Sequence, residues 1–214
     1  MIMATRLPTS VRQHLAALRA LLVLTVLVGI IYPLVVAGIG QLVFPSQANG
    51  SLVTKDGKVV GSSLLGQAFV DAKGNPLPQW FQPRPSVASD PSNNADPGYN
   101  PLFSGASNKG PSNTDLIKQI NDRRTAIAAF DGVRPADVPA DAVTASASGL
   151  DPDISPAYAD EQVNRVATTR NLDPVRVRAL VADHTKGRVL GILGEPRVNV
   201  VELNLALDQL SNPR

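Results

Sequence analysis

The sequence predicts an α+β protein: a single N-terminal transmembrane helix followed by one mixed α/β extracytoplasmic domain. Three observations carry this expectation. An uncharged apolar run lies near the N-terminus, β-prone runs flank a tight-turn dipeptide soon after it, and several capped segments with helical spacing fill the second half.

The apolar run is "ALLVLTVLVGIIYPLVVAGIGQLVF", from Ala20 to Phe44, with no charged residue and Gln41 as its one strongly polar position. As a helix its 25 residues extend about 37 Å against a hydrocarbon core of about 30 Å, so it spans with tilt. A soluble helix of that length would carry a polar face. The run exceeds the roughly 7–15 residues of a signal-peptide core and has no small-x-small cleavage site after it, so it reads as an uncleaved anchor with a kink at Pro33. Arg6, Arg12 and Arg19 precede it without any acid, and the first later charge is Lys55. The positive-inside rule then makes residues 1–19 a cytoplasmic arm, 20–44 the transmembrane helix and 45–214 an extracytoplasmic domain.

Charge narrows the partners. The chain of 214 residues carries a net +2, but three of its basic residues sit in the arm, leaving 17 basic against 18 acidic residues from position 20 onward. The domain is therefore no polyanion binder. Its 43% hydrophobic content is enough for a core, and with no cysteine it builds that core without disulfides or thiolate metal sites.

Along the domain, "SLVTKDGKVVGS" predicts a hairpin turning at Asp56-Gly57. The stretch from Phe69 to Pro101, rich in Pro, Gly, Ser and Asn and holding Trp80, predicts ordered loop. A helix follows with Ser112 or Asn113 as its cap, Leu116, Ile120 and Ile127 on one face, and an end near Asp131-Gly132. A short strand is expected around Val143. Ser155-Pro156 and Asp173-Pro174 each open a helix, the first turning Val163, Val166 and Ala167 inward, the second Val177, Leu180, Val181 and His184 before closing at Gly187. The tail predicts a short strand, a turn at Gly194–Pro196, an extended stretch, and a last helix with Val201, Leu205 and Leu207 partly buried.

Candidate chemistry is sparse. His14 and His184 fall on opposite sides of the expected membrane, so they cannot share a metal, and His184 reads as a packed, hydrogen-bonded side chain. Asp151, Asp153, Asp160 and Glu161 lack calcium-loop spacing. "SGASN" and "SASGL" lack the context of a nucleophilic serine, and "TASASGL" precedes a helix without any phosphate-binding lysine. "EQVNRVATTRNLDPVRVRALVADHTK" has the outline of a helix-turn-helix, but an external domain is away from DNA, so no nucleic-acid partner is expected.

The blocks "NGSLV", "VVGSSLLGQAF", "RPS", "YNPLFSGASNKGPSN", "VTASASGLDPDISP", "QVNRVA" and "GRVLGILGEPRVNVVELNLAL" occur in this order. Together they resemble the C subunit of the Kdp potassium-transporting ATPase over the membrane segment and nearly all of the domain. The resemblance implies a non-catalytic single-pass subunit of a bacterial inner-membrane, high-affinity K+ import pump. Its partners would be the lipid bilayer, a potassium-channel-like subunit, a P-type ATPase subunit that works on ATP and Mg2+, and a small membrane peptide subunit. It would serve assembly and act as a catalytic chaperone that raises ATP affinity, with Gln162 as the proposed nucleotide contact. The alternative is a membrane-tethered external ligand- or cation-binding module, although a near-neutral domain concentrates cations poorly.

The expected topology puts Gln162 across the membrane from cytoplasmic ATP, which makes an allosteric route through the anchor the more economical expectation. Relatives commonly carry an aromatic-rich segment with Gly before "RPS" and a His at the position of Asp153; this chain has "GNPLPQWFQPRPS" and the aspartate. Residues expected to face partners are Ser104, Gly105, Asn108, Gly110, Ser112 and Asn113 in one block, and Ser146, Gly149, Asp151 and Asp153 in the other.

Overall fold

A computed structural model describes residues 8–211. The chain divides into two compact units, residues 1–51 and 52–214.

In the first unit, one helical run covers Thr9–Val43. It consists of α1 (Thr9–Val26), a π-helical turn over Leu27–Ile31, and α2 (Tyr32–Val43). Helix thus begins eleven residues before the apolar stretch, taking in Arg12 and Arg19. Proline lacks an N–H and its ring presses on the carbonyl four residues back, here Gly29. The wider turn holding Gly29 relieves that clash, so the expected kink site at Pro33 takes the form of a π turn. After α2 comes a single helical turn, α3 (Pro45–Ala48). Gln41 folds its amide onto Asn49: Asn49 Nδ2 donates to Gln41 Oε1 at 3.0 Å, and Gln41 Nε2 returns a bond to Asn49 Oδ1 at 3.2 Å. The run's polar side chain is thereby matched at the helix end.

The second unit opens with the antiparallel hairpin β1 (Leu52–Lys55) and β2 (Lys58–Ser62). Asp56 and Gly57 both have positive φ, +50° and +76°, the conformation a two-residue hairpin turn demands. Residues 63–113 carry little regular structure, with an isolated bridge between Val70 and Pro76 and a 3-10 turn at Pro101–Phe103. α4 (Thr114–Asp131) starts at Asn113, whose side chain accepts from Leu116 N–H at 3.1 Å, and stops at Gly132, φ +71°.

The expected strand at Val143 is instead a helical turn, α5 (Ala140–Val143). Pro139 pre-sets its start, and Asp141 is held by Ser155, which donates its backbone N–H at 2.7 Å and its hydroxyl at 2.8 Å. β3 (Asp153–Ile154) comes next, then α6 (Pro156–Arg170) and α7 (Pro174–Asp183), capped by Ser155 and Asp173 as their sequences require.

α7 ends at Asp183, four residues before the expected Gly187. His184 Nδ1 lies 2.9 Å from Leu180 O and Thr185 Oγ1 donates to Val181 O at 2.8 Å, so side chains rather than a glycine close the last carbonyls. β4 (Thr185–Lys186) and β5 (Arg197–Asn199) follow, and α8 (Val200–Ser211) completes the unit. The sheet order is β3-β5-β4, all antiparallel. The turn between β4 and β5 falls at Leu190-Gly191, not at Gly194–Pro196, because Val189 bridges Leu193.

The core lies where α6 meets α4, α7 and the sheet, and α8 covers β5. It gathers Phe81, Val143, Ile154, Tyr158, Val163, Val166, Val177, Val198, Leu203 and Leu207. Val201 and Leu207 are deeply buried, further than their partial burial expected from sequence, because α8 is sandwiched rather than laid on the surface.

Candidate functional site

The Pro-rich stretch from Gly74 to Ser86 cannot make a ladder of its own, since Pro76, Pro78, Pro83 and Pro85 remove donors. Two buried amides replace the missing strand. Asn204 of α8 accepts from Phe81 N–H at 2.9 Å and donates to Phe81 O at 2.9 Å. Gln162 of α6 accepts from Gln82 N–H at 2.6 Å and donates to Gln82 O at 3.1 Å. Each side chain thus reads one residue's backbone as a neighbouring strand would. Gln162 is 0% exposed, and its Oε1 also receives Arg165 Nη2 at 2.7 Å.

Arg165 knits this clamp to the rest of the unit. Its Nε pairs with Asp131 of α4 at 2.5 Å, its Nη1 donates to Pro78 O and Trp80 O, and its guanidinium lies 4.4 Å from the Phe130 ring centroid. Arg170, one turn on, donates to Gln79 O at 2.7 Å and covers Trp80 at 4.1 Å. Burial pushes the Asp131 carboxyl up, with Arg165 opposing it. Glu161 sits beside Asp131; burial first, and then that neighbouring charge, push its carboxyl up to about 7. Its Oε1 is buried without a hydrogen-bond partner.

A second assembly surrounds the small-residue turn 144–151. Ser146 Oγ accepts from Gly149 N–H at 2.9 Å, and Ser148 Oγ accepts from Leu150 N–H at 3.1 Å. The turn thus spends two of its amide donors on its own serine hydroxyls. Ser86 donates to Gly149 O at 2.6 Å, and Ser148 O receives Gly105 N–H at 2.9 Å and Ser104 Oγ at 3.1 Å. Gly149 has φ +68°, and a Cβ there would stand 2.8 Å from the Ala88 methyl, so no other residue fits. The exposed Leu64 and Leu65 line one cleft with this turn, and the exposed Leu102 and Phe103 immediately precede Ser104 in the chain.

The sequence-selected residues separate into distinct roles. Ser104, Asn108, Gly110, Ser112 and Asn113 are exposed, Gly105 is half-buried, and Ser146 and Gly149 are buried. Ser104, Gly105, Ser146 and Gly149 meet at the turn just described, whereas Asn113 caps α4. Asp151 pairs with Arg84 at 3.1 Å and Asp153 with Arg197 at 2.9 Å. Burial raises the Asp153 carboxyl, and Arg197 counters it. These two aspartates line one cleft with Asp141, Ser155 and Glu195. Among the described residues no group of three or more His, Asp or Glu side chains is placed to hold a metal ion.

Sequence reasoning missed Asn204, Arg165 and Asp131. The signal was present in α6: Gln162 and Arg165 fall in its buried phase, among Tyr158, Ala159, Val163, Val166 and Ala167. A polar or charged residue in an apolar stripe calls for an internal partner.

The family model for the K+-transporting ATPase, c chain, matches residues 14–209. The chain belongs to this family. A protein of Kineococcus radiotolerans named potassium-transporting ATPase KdpC subunit is 54% identical over 205 residues, covering 96% of this chain and 97% of its own. The proteins of that name from Streptomyces coelicolor and Mycobacterium tuberculosis are 49% and 50% identical, covering 99% and 93% of this chain and 98% and 99% of their own. The match takes in most of both units described above.

Proposed function

We propose that the chain is an accessory, non-catalytic subunit of an ATP-driven potassium import complex, inserted in the plasma membrane by its long apolar helix with the unit from Leu52 onward outside the cytoplasm. The observation that carries this reading is the near-full-length match to proteins named as subunits of the potassium-transporting ATPase. K+ is then the transported ion, and ATP and Mg2+ act on a P-type partner subunit. A channel-like subunit and a small membrane peptide complete the proposed set of partners.

Within that role, the chain assists assembly and raises the partner's ATP affinity by biasing the partner's conformational equilibrium, not by touching nucleotide. The support is chemical. Gln162 has no exposed surface, and both ends of its amide are engaged by Gln82 and Arg165. A ligand would have to displace bonds that hold the 78–82 loop. The coupling would instead run through an element that both subunits bias. The exposed residues Ser104, Leu102 and Phe103 around the small-residue turn are the proposed partner-facing surface.

Two measurements test the reading. With no cysteine in the chain, Asn164→Cys on the exposed side of α6 supplies its single thiol. A membrane-impermeant thiol reagent is expected to label it in intact cells, and labelling only after lysis would sink the external placement. K+-stimulated ATP hydrolysis is expected to be lost from complexes purified without the chain, and full activity in its absence would refute the subunit role.

A further inference from the structure

The hairpin between β4 and β5 gathers four exposed aliphatic side chains within five residues. Residues 187–196 are exposed without interruption. Val189 is 53% exposed, Leu190 86%, Ile192 75% and Leu193 57%. Surface turns are ordinarily polar, and contiguous exposed aliphatics mark interaction sites.

The arm is nevertheless well ordered. Val189 N–H donates to Leu193 O at 2.8 Å and Leu193 N–H returns a bond to Val189 O at 3.0 Å. Gly191 N–H donates to Arg188 O at 3.1 Å, and Arg188 and Glu195 close the neck with a 2.7 Å ion pair. At the tip, Leu190 and Gly191 have φ +54° and +77°. Two consecutive positive φ values ask for Asn-Gly, and a leucine at the first is disfavoured by its Cβ. Leucine is thus the wrong residue for folding and has little of its own chain to pack on. What it supplies is apolar surface at the end of a braced hairpin.

We propose that this arm docks Val189, Leu190, Ile192 and Leu193 into an apolar cleft on another protein subunit of the potassium-transporting ATPase. The proposal rests on the reading of the chain as a subunit of that pump. Its chemistry favours a protein over lipid: membrane-surface segments carry Trp or Tyr and unpaired Lys or Arg, whereas the arm has no aromatic residue and its lone cation is neutralised by Glu195. It also favours a different chain over a second copy, because a two-fold contact needs a self-complementary patch and a narrow convex tip does not fit itself. Bracing before contact lowers the ordering cost of binding.

The test uses the full chain, alone in nanodiscs and within the intact ATPase complex in nanodiscs. Leu190→Cys is reacted with a maleimide and followed by peptide mass, with Asn94→Cys, on the exposed loop, as reference. In the complex the Leu190→Cys reaction is expected to slow by roughly tenfold or more, the scale of burying one anchor residue, while the reference is unchanged. Leu190→Asp combined with Ile192→Asp is expected to lower the yield of intact complex by a similar factor. Leu190→Asn is expected to weaken the complex while leaving or raising the melting temperature of the chain, a split that a structural role for Leu190 would not produce.

Equal reactivity in both states overturns the proposal, and so does protection already present in the isolated chain, which would assign the arm to lipid or to a second copy. If the wild-type chain itself fails to co-purify with the ATPase, it is the subunit reading that falls, and the arm's proposed partner falls with it.

Discussion

The helix from Thr9 to Val43 and the unit from Leu52 onward satisfy their backbones in opposite ways. In the helix every hydrogen bond is local, and its apolar side chains face outward, with Leu22, Val28 and Leu34 each more than half exposed. Such an element is complete in a solvent without water, where only internally bonded backbone survives. In the second unit the decisive bonds span long stretches of sequence. Gln162 and Asn204 hold residues 82 and 81 across separations of 80 and 123 positions. The helix is therefore specified residue by residue, while the folded unit depends on a few side chains whose loss removes several partners together.

The contrast is broken most severely at Arg165. Arg165→Ala leaves Asp131 buried without its cation and frees the 78–82 loop, and it is expected to lower unfolding stability by about 3–5 kcal/mol. Trp80, the only tryptophan and the partner of Arg170, reports the transition by fluorescence in a urea titration of the full chain in detergent. An unmoved midpoint would mean that the second unit, like the helix, has no obligatory distant contact.

A pair of matched truncations sharpens it next. Leu207→Ala, at a fully buried site, is expected to cost about 2–5 kcal/mol in the same titration. Leu22→Ala, in the outward-facing helix, is expected to leave that midpoint within about 0.5 kcal/mol. Equal effects would show that the two regions are not energetically separate.

The smallest expected effect is a pH dependence confined to the second unit. The Glu161 carboxyl is raised to about 7 from an ordinary 4.5, so the folded state holds a proton that the unfolded state has released. Glu161 then favours folding below about 4.5, and that contribution fades as pH rises through about 7. Asp131, Asp137, Asp141, Tyr158 and Arg165 make up its charged and titratable surroundings. Glu161→Gln is expected to flatten the melting-temperature profile across this window and to be the more stable protein above pH 7. Because Glu161 is partly exposed, the gain is on the order of 1 kcal/mol or less. An identical profile for the two proteins would show that the carboxyl is ionised throughout.

Much of the architecture was legible because its signals are local. The uncharged run, Asp56-Gly57, Asn113 before α4, Ser155-Pro156 and Asp173-Pro174 each act on neighbours within a turn or two, and each stands where its chemistry requires. The misreadings fell where a distant residue decides. Val143 looks strand-forming, yet Ser155 holds Asp141 and the segment coils. Gly187 looks like a helix stop, yet Thr185 and Lys186 are drawn into pairing with β5. Leu190 has no turn character, yet the register of Val189 with Leu193 forces it to the tip.

The same division runs through the site. Family membership, the membrane-competent helix and the small-residue turn are written in contiguous residues, since each depends on composition or on bonds within a few positions. Side-chain sequence alone also flags Gln162 and Arg165 as anomalies on an apolar helix face. That they grip a proline-rich loop rather than a ligand depends on α6, α8 and that loop arriving together, and a contact across 80 residues has no local trace.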